Sequence, residues 1–267
     1  MAAALVAGVV VGSTVLAPQD APAPAPTTSP APTTATDADT PMPVGDLPGW
    51  RQVYVEDFSQ DAALGSFPGP AYEGRWTGYE GFPDTSEAGL YSNTRVVSVQ
   101  DGVMDLHLRT ENGQPLVAAP IPLVHGRWGG QLYGRFEVRF RADPVHGYKT
   151  AWLLWPDSDD WAEGEIDFPE GPLSAEMYAA NLLVGSPGVF DVKTDGLATF
   201  DEWHVATIEW TPDAVTFLLD GEEVGRSTSS PSTPMHWVLQ TETDHGTPPA
   251  DEEGHVEIDW VTVYEMG

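Results

Sequence analysis

Three carboxylic acids, Glu165, Asp167 and Glu170, lie within the segment GEIDFPEG. In a β-strand alternate side chains share a face, so Glu165 and Asp167 point the same way. Plain alternation would send Glu170 to the opposite face. One inserted residue, a β-bulge at Phe168–Pro169, restores the parity, and a bulge is one of the few strand positions that tolerate proline. We therefore predict a bulged strand that presents all three carboxylates on one face.

The spacing of the two glutamates indicates a reaction class. With the bulge, Glu165 and Glu170 are about four strand steps apart, or about 13 Å between Cα atoms. Side chains that lean toward each other leave about 5 to 6 Å between the carboxyl groups, close to the separation in retaining glycosidases. Inverting enzymes need a wider gap that holds a water molecule. The spacing thus predicts retaining cleavage of a glycosidic bond.

Charge repulsion among the three carboxylates suggests their roles. Groups this close cannot all ionise cheaply, so at least one pKa is raised and one group keeps its proton. We predict that Glu165 is the nucleophile that forms a glycosyl-enzyme ester and that Glu170 is the acid/base. Asp167 is expected to hydrogen-bond to Glu165 and tune its ionisation. The alternative is a solvated acidic strand face without chemistry.

The overall charge restricts the class of partner. The chain has 41 Asp and Glu against 11 Lys and Arg, a formal net charge of −30. Nucleic acids and anionic membranes are bound through basic residues, so neither is an expected partner. The absence of cysteine excludes disulfides and thiolate chemistry. No histidine metal-ligand spacing and no phosphate-binding loop is present, so we expect no cofactor for catalysis.

The composition of the chain predicts three segments. Residues 1–17 include an uncharged apolar run that is too short to span a bilayer and is typical of an export signal. Residues 18–46 are rich in Pro, Ala and Thr, which predicts a disordered linker. Residues 47–267 form the expected catalytic domain. We therefore expect a secreted, monomeric, acidic protein that is not inserted in a membrane once the signal is removed.

The last of these segments consists of short alternating or β-branched runs separated by Gly, Pro, Asn and Asp. This pattern is typical of an all-β fold, a jelly roll sandwich of two antiparallel sheets. The predicted strands are Gln52–Phe58, Thr94–Val99, Val103–Arg109, Gly134–Arg141, Val205–Trp210, Ala214–Leu219, His236–Thr241 and His255–Tyr264. After Leu219, the pair Asp220–Gly221 predicts a hairpin with a type I′ turn.

The segment GEIDFPEG resembles the active-site signature of glycoside hydrolase family 16, the laminarinase and lichenase family, in its bulged E-x-D-x-x-E form. Four other segments resemble the family in the same order: YGRFEVRFRADP, AWLLWP, WHVATIEWTPDAVTFLLDG and HVEIDWVTVYE. Together they cover nearly all of residues 50–265. The resemblance implies a concanavalin A-like jelly roll with an open cleft on its concave sheet. It also implies Glu165 as nucleophile, Asp167 as assisting residue and Glu170 as acid/base.

The implied activity is retaining, endo-acting hydrolysis of a polysaccharide, foremost a β-1,3- or mixed β-1,3/1,4-glucan. Related members cut galactans or transfer xyloglucan, so another polysaccharide is an alternative substrate. A non-catalytic sugar-binding jelly roll is a second alternative, although it would not need three carboxylates. A polysaccharide lyase is a third, although lyases need basic groups that this acidic chain supplies poorly.

Besides Trp161–Ala162, which stands one residue closer to the signature than the Trp-Pro of the family, two segments depart from the family pattern. Many members place a histidine on the strand after the catalytic one, whereas this chain has EMYAAN at residues 176–181. The segment WVLQTE at residues 237–242 stands where the family has an apolar stretch. Both departures concern the choice of polysaccharide, because the three carboxylates of the signature are intact.

Five other side chains are candidates for binding the substrate. Trp128, Trp155 and Trp161 lie in predicted loops or strand ends near the signature, where an indole can stack on a sugar, although aromatic residues also fill cores. Tyr79 is a fourth aromatic candidate. Gln240 is expected to hydrogen-bond to a sugar hydroxyl.

The resemblance also implies a structural calcium ion on the convex side, as in many family members. Asp259 matches the aspartate that binds it, with Glu56 and Gly102 as backbone donors. Calcium prefers oxygen ligands of this kind. The alternative is a surface aspartate without a metal.

Overall fold

The computed structural model describes residues 40–267, so the predicted signal and most of the predicted linker lie outside the described residues. This part of the chain is built mainly of strands. The strands are β1 Trp50–Glu56, β2 Trp76–Gly78, β3 Glu80–Pro83, β4 Leu90–Ser92, β5 Val97–Gln100, β6 Val103–Glu111, β7 Gln114–Val117, β8 Pro120–Pro122, β9 Gly134–Ala142, β10 Tyr148–Pro156, β11 Ile166–Pro172, β12 Tyr178–Leu182, β13 Phe190–Lys193, β14 His204–Trp210, β15 Val215–Leu219, β16 Glu222–Ser227, β17 Met235–Thr243 and β18 Gly254–Met266.

The helices of the described residues are single turns. They are α1 Gly69–Tyr72, α2 Asn93–Val96 and two 3₁₀ turns, Val124–Gly126 and Trp161–Glu163. None of the helices in residues 40–267 has the length and apolar character needed to cross a membrane.

Two large stacked sheets and a separate two-stranded sheet of β2 and β8 form the domain. The smaller of the two stacked sheets has five strands in the order β13-β12-β11-β10-β17, and the larger has eleven, with the path β16-β15-β14-β9-β18-β6-β7-β4-β3 and with β1 and β5 beside β18 and β6. Aromatic pairs join the two sheets, with ring centroids 5.5 Å apart for Phe136 and Trp237 and 5.1 Å apart for Phe140 and Trp152. The predicted all-β jelly roll sandwich is confirmed. Among the paired strands of the described residues, only β4 and β7 run parallel to each other.

Alternation along β9 shows how the sequence builds this core. Phe136, Val138 and Phe140 are fully buried between the sheets. The charged residues on the opposite face are also largely covered, because they form ion pairs, such as Arg135 with Glu137. Pairing offsets part of the cost of burying these charges on the outer side of the sandwich.

Most predicted strands are found within two residues of their expected ends, but Thr94–Val99 is partly wrong. Its first residues belong to α2, and only Val97–Gln100 is a strand. The Glu80 carboxylate accepts hydrogen bonds from the Thr94 backbone N–H and hydroxyl, both at 3.2 Å. Glu80 on β3 thus stabilises the helical turn α2, which the alternation of residues 94–99 alone does not predict.

The predicted type I′ turn is confirmed, because Asp220 and Gly221 both have positive φ, 52° and 84°. The strand β10, Tyr148–Pro156, was not predicted, because its residues do not alternate between polar and apolar. Trp152 and Leu154 are buried on one face and Ala151 and Leu153 on the other, which gives a continuous apolar run.

Candidate active site

The bulge in β11 is the feature that gathers the three carboxylates. Three steps along β11, from Asp167 to Glu170, match only two steps along β10 and two along β12. The extra residue therefore lies at Phe168–Pro169, where we predicted it, and this peptide bond is cis. Phe168 points into the core, 1% exposed. The bulge returns Glu170 to the side of the sheet that carries Asp167.

Burial raises the pKa of every member of the trio. Asp167 is 3% exposed. Burial raises its pKa well above the ordinary value, and the charges of Glu165 and Glu170 raise it further. Burial also raises the pKa of Glu165, and there a hydrogen bond with Asp167 acts in the opposite direction. A hydrogen bond thus links Asp167 to Glu165 and affects the pKa of both carboxyl groups.

A 3₁₀ turn brings a second donor to Glu165. The Trp161 indole N–H donates to Glu165 Oε2 at 2.5 Å, which favours the ionised form and lowers the pKa of that carboxyl. Gly164 connects the turn to Glu165 at a φ of 111°. A Cβ at Gly164 would lie 2.7 Å from Pro231 Cγ, so only glycine fits this connection.

The surroundings of Glu170 differ from those of Glu165. Burial raises the pKa of Glu170, whereas the Lys149 ammonium and a hydrogen bond from the Tyr178 hydroxyl lower it. Lys149 Nζ lies 3.9 Å from Glu170 Oε1. Tyr178 lies on the strand where many family members have a histidine. The sequence analysis missed Lys149, although a cation close to paired carboxylates could have been sought among the few basic residues of the chain.

A cavity of about 240 Å³ lies beside Glu165. Its lining is mainly aromatic and apolar, and includes three of the predicted substrate-binding residues, Tyr79, Trp155 and Gln240. The other lining residues are Phe82, Pro83, Asp84, Thr85, Tyr91, Leu153, Val238 and Glu165 itself. Apolar walls with a few polar groups are typical of a site for small ligands or sugars.

The other two predicted tryptophans extend this aromatic lining. Trp161 is 43% exposed, and its ring centroid lies 6.4 Å from that of Trp155. Trp128 is 46% exposed and lies 6.2 Å from Tyr79. Each exposed indole therefore contacts a ring of the cavity. Trp128 also packs at 4.4 Å on His236, which sequence analysis did not identify.

Two of the three predicted calcium ligands, Asp259 and Glu56, have carboxylates that pair with arginine side chains. Asp259 Oδ2 accepts a hydrogen bond from Arg139 Nη1 at 2.6 Å. The Glu56 carboxylate accepts from Arg75 Nε at 2.9 Å, which leaves its backbone oxygen for the predicted role. Among residues 40–267, no group of three or more His, Asp or Glu side chains is placed to hold a metal ion. The calcium site stays a prediction.

Known proteins share both the sequence pattern and the fold. The sequence model of the glycosyl hydrolases family 16 matches residues 91–262. Over 160 residues the chain is 30% identical to Crh-like protein 2 of Aspergillus fumigatus, which covers 54% of this chain and 34% of that protein. Over 196 residues it is 26% identical to a beta-glucanase of Rhodothermus marinus, 65% of this chain and 64% of the relative. The chain thus spans less than two thirds of either relative.

A solved structure supports the same assignment of the fold. SCLam, a non-specific endo-beta-1,3(4)-glucanase, superposes with a TM-score of 0.66 at 18% identity, over 84% of this chain and 94% of SCLam. The matched family segment contains the bulged strand and all three carboxylates. The chain belongs to the glycosyl hydrolases family 16.

Proposed function

We propose that this chain hydrolyses a β-linked polysaccharide, foremost a β-1,3- or mixed β-1,3/1,4-glucan, by a retaining and endo-acting mechanism. The observation that carries the proposal is the bulge of β11, which places Asp167 and Glu170 on one side of the sheet. Similarity to a beta-glucanase and to an endo-beta-1,3(4)-glucanase supports a glucan as the substrate. Aromatic side chains around the cavity suit the apolar faces of β-linked sugars.

The first step of the proposed reaction forms a covalent ester. The Glu165 carboxylate attacks the anomeric carbon while Glu170 gives its proton to the glycosidic oxygen, and the bond between that carbon and oxygen breaks. In the second step a water molecule gives a proton to Glu170 and attacks the same carbon, which releases Glu165. Two inversions at one carbon restore the original configuration.

The electrostatics of the site favour this division of roles. Burial raises the pKa of Glu165, and hydrogen bonds from Trp161 and Asp167 oppose this rise by favouring the ionised form that a nucleophile needs. Burial raises the pKa of Glu170, which favours the protonated form that an acid needs. Once Glu165 is esterified its negative charge is gone. The pKa of Glu170 then falls, and the same residue can act as base.

The remaining parts of the proposal concern the whole protein. Both reacting groups are side chains, so we propose that catalysis needs no cofactor. We further propose export from the cell, with a signal at residues 1–17, and a monomeric state. A calcium ion at Asp259, with Glu56 and Gly102 as backbone donors, would have a structural role.

The substrate class is tested with a panel of laminarin, lichenan, agarose, galactan and xyloglucan. We expect the release of reducing ends from laminarin or lichenan and a rapid fall in polymer length, since endo-acting enzymes cut within the chain. Cleavage of agarose or galactan alone would move the protein to another substrate class. No cleavage of any polymer beyond the level of the Glu165→Gln variant would contradict the enzyme function and favour a sugar-binding module.

A further inference from the structure

A fourth carboxylate that the proposed reaction does not use lies close to the trio. Glu242 on β17 is 1% exposed and belongs to the segment that departs from the apolar pattern of the family. Its Oε1 accepts hydrogen bonds from the Tyr91 hydroxyl at 2.7 Å and the Thr85 hydroxyl at 2.6 Å. A buried charge is retained only when it is well paired, so the partners of Glu242 indicate what it does.

The cationic partner of Glu242 also faces the proposed acid/base. Lys149 Nζ lies 3.1 Å from Glu242 Oε2 and 3.9 Å from Glu170 Oε1. Strand register explains this arrangement, because Lys149 pairs with Glu242 across β10 and β17, while Ala151, two residues further along β10, pairs with Glu170. One ammonium group therefore lies between a buried structural carboxylate and a reacting one.

Hydrogen bonds connect the segment of residues 84–91 to β17, the strand of Glu242. Asp84 Oδ2 accepts hydrogen bonds from the backbone N–H and the hydroxyl of Thr243, both at 2.7 Å. Thr85 and Tyr91, which donate to Glu242, also line the cavity. The position of this cavity wall and the position of the Lys149 charge thus depend on the same carboxylate.

Building on the proposed function of Glu170, we propose that Glu242 and Lys149 form a positioning pair for the acid/base. In this pair Glu242 fixes the ammonium beside Glu170 and ties it to the cavity wall of residues 84–91. Neither residue reacts with the substrate. Their role is to set the field in which Glu170 gains and loses its proton.

Several other charged or titratable groups, on or beside β11, β12 and β13, also act on Glu170. The Tyr178 hydroxyl on β12 donates to Glu170, and Lys193 on β13 lies 3.8 Å from the Tyr178 ring. Asp167 lies on β11 with Glu170, and Glu165 directly precedes this strand. The charge of Glu170 raises the pKa of both. Asp244 acts on Lys149 and Tyr178. Burial raises the pKa of Glu170, and among the opposing influences Lys149 is the largest, ahead of Tyr178 and Lys193.

The pair predicts opposite shifts for its two single variants. The active free enzyme carries a protonated Glu170, so the basic limb of the kcat/KM profile follows the pKa of this group. Lys149→Met removes the nearby cation, which raises that pKa and moves the basic limb to higher pH. Glu242→Gln leaves the cation without its counter-charge, which lowers that pKa and moves the limb to lower pH. We expect at least about half a pH unit each way from charges at these distances.

Two further variants make the test specific. The double variant Lys149→Met/Glu242→Gln removes both charges, and its basic limb should return toward that of the unmodified protein. Arg51→Met is the matched control, because it removes one cation from a surface pair with Glu265 on the larger sheet and should leave the limb in place. If Lys149→Met does not fold, Lys149→Gln keeps a donor to Glu242 and must shift the limb in the same direction.

The outcomes separate this inference from the proposed function. Opposite shifts that cancel in the double variant support the pair. Loss of rate in both single variants without movement of the basic limb would show a purely structural role and overturn the inference. If Glu170→Gln leaves polysaccharide hydrolysis intact, the proposed function itself fails. If that variant is inactive and the limbs do not move, only the positioning pair is wrong.

Discussion

Replacement of Glu165 by Gln is expected to reduce kcat on the best polysaccharide by about 10⁶-fold, the scale seen when a hydrolase loses its nucleophile. The amide has nearly the size of the carboxylate, and its oxygen can still accept the Trp161 N–H that donates to Glu165 Oε2 at 2.5 Å. It cannot form an ester with the anomeric carbon. Binding of an oligosaccharide should be little changed, since the change removes a reacting group rather than a cavity wall.

Initial rates of reducing-end release and oligosaccharide Kd values measure this effect. Glu163→Gln is the matched control, because Glu163 lies two residues away and its carboxylate accepts a hydrogen bond from the Ser158 hydroxyl at 2.7 Å. It should keep the unmodified rate. A Glu165→Gln variant that retains more than a few per cent of the rate would remove Glu165 from the role of nucleophile.

Replacement of Glu170 by Ala is expected to lower the rate on a polysaccharide by about 10²- to 10⁴-fold, the usual contribution of a general acid. The loss should be far smaller for ester formation from a dinitrophenyl glycoside, because that leaving group departs without a proton. Azide needs no general base to attack the ester. Added azide should therefore speed turnover of the aryl glycoside and give a glycosyl azide of the original configuration.

The two substrates distinguish the two glutamates. Glu165→Gln should be inactive on both, since every substrate needs the nucleophile. Glu170→Ala should be impaired mainly on the polysaccharide. Equal losses on both substrates, with no effect of azide, would mean that Glu170 does not transfer the proton. The assignment of acid and nucleophile would then have to be revised.

The carboxylate trio could be predicted from the sequence because its geometry is local. Two-residue alternation fixes the side of Glu165 and Asp167, and the proline directly before Glu170 marks the bulge that returns Glu170. These rules use neighbours in sequence alone. The site is thus predictable where one strand determines it.

The pair of Lys149 and Glu242 could not be predicted in the same way. The two residues lie in different segments, and the register between β10 and β17 brings their side chains to 3.1 Å. Register depends on the packing of the whole sheet, which local pattern does not contain. The departure at residues 237–242 was visible in the sequence, but its partner was not.

The tryptophans show a second limit of local reasoning. Trp152 and Trp155 lie three residues apart on β10 and point to opposite faces, so Trp152 is fully buried in the core while Trp155 lines the cavity. Both have the same kind of apolar neighbours in sequence. Their roles separate only when the strand and its buried faces are known.

The stereochemistry of the first product tests most directly whether the bulge assembles a retaining pair. Proton NMR of a fresh digest resolves the two anomers at the new reducing end before they interconvert. With Glu165 as nucleophile and Glu170 as acid/base, the β-anomer must form first and the α-anomer must grow only through mutarotation. An α-anomer that forms first would show a single inversion and contradict the proposed arrangement of the site.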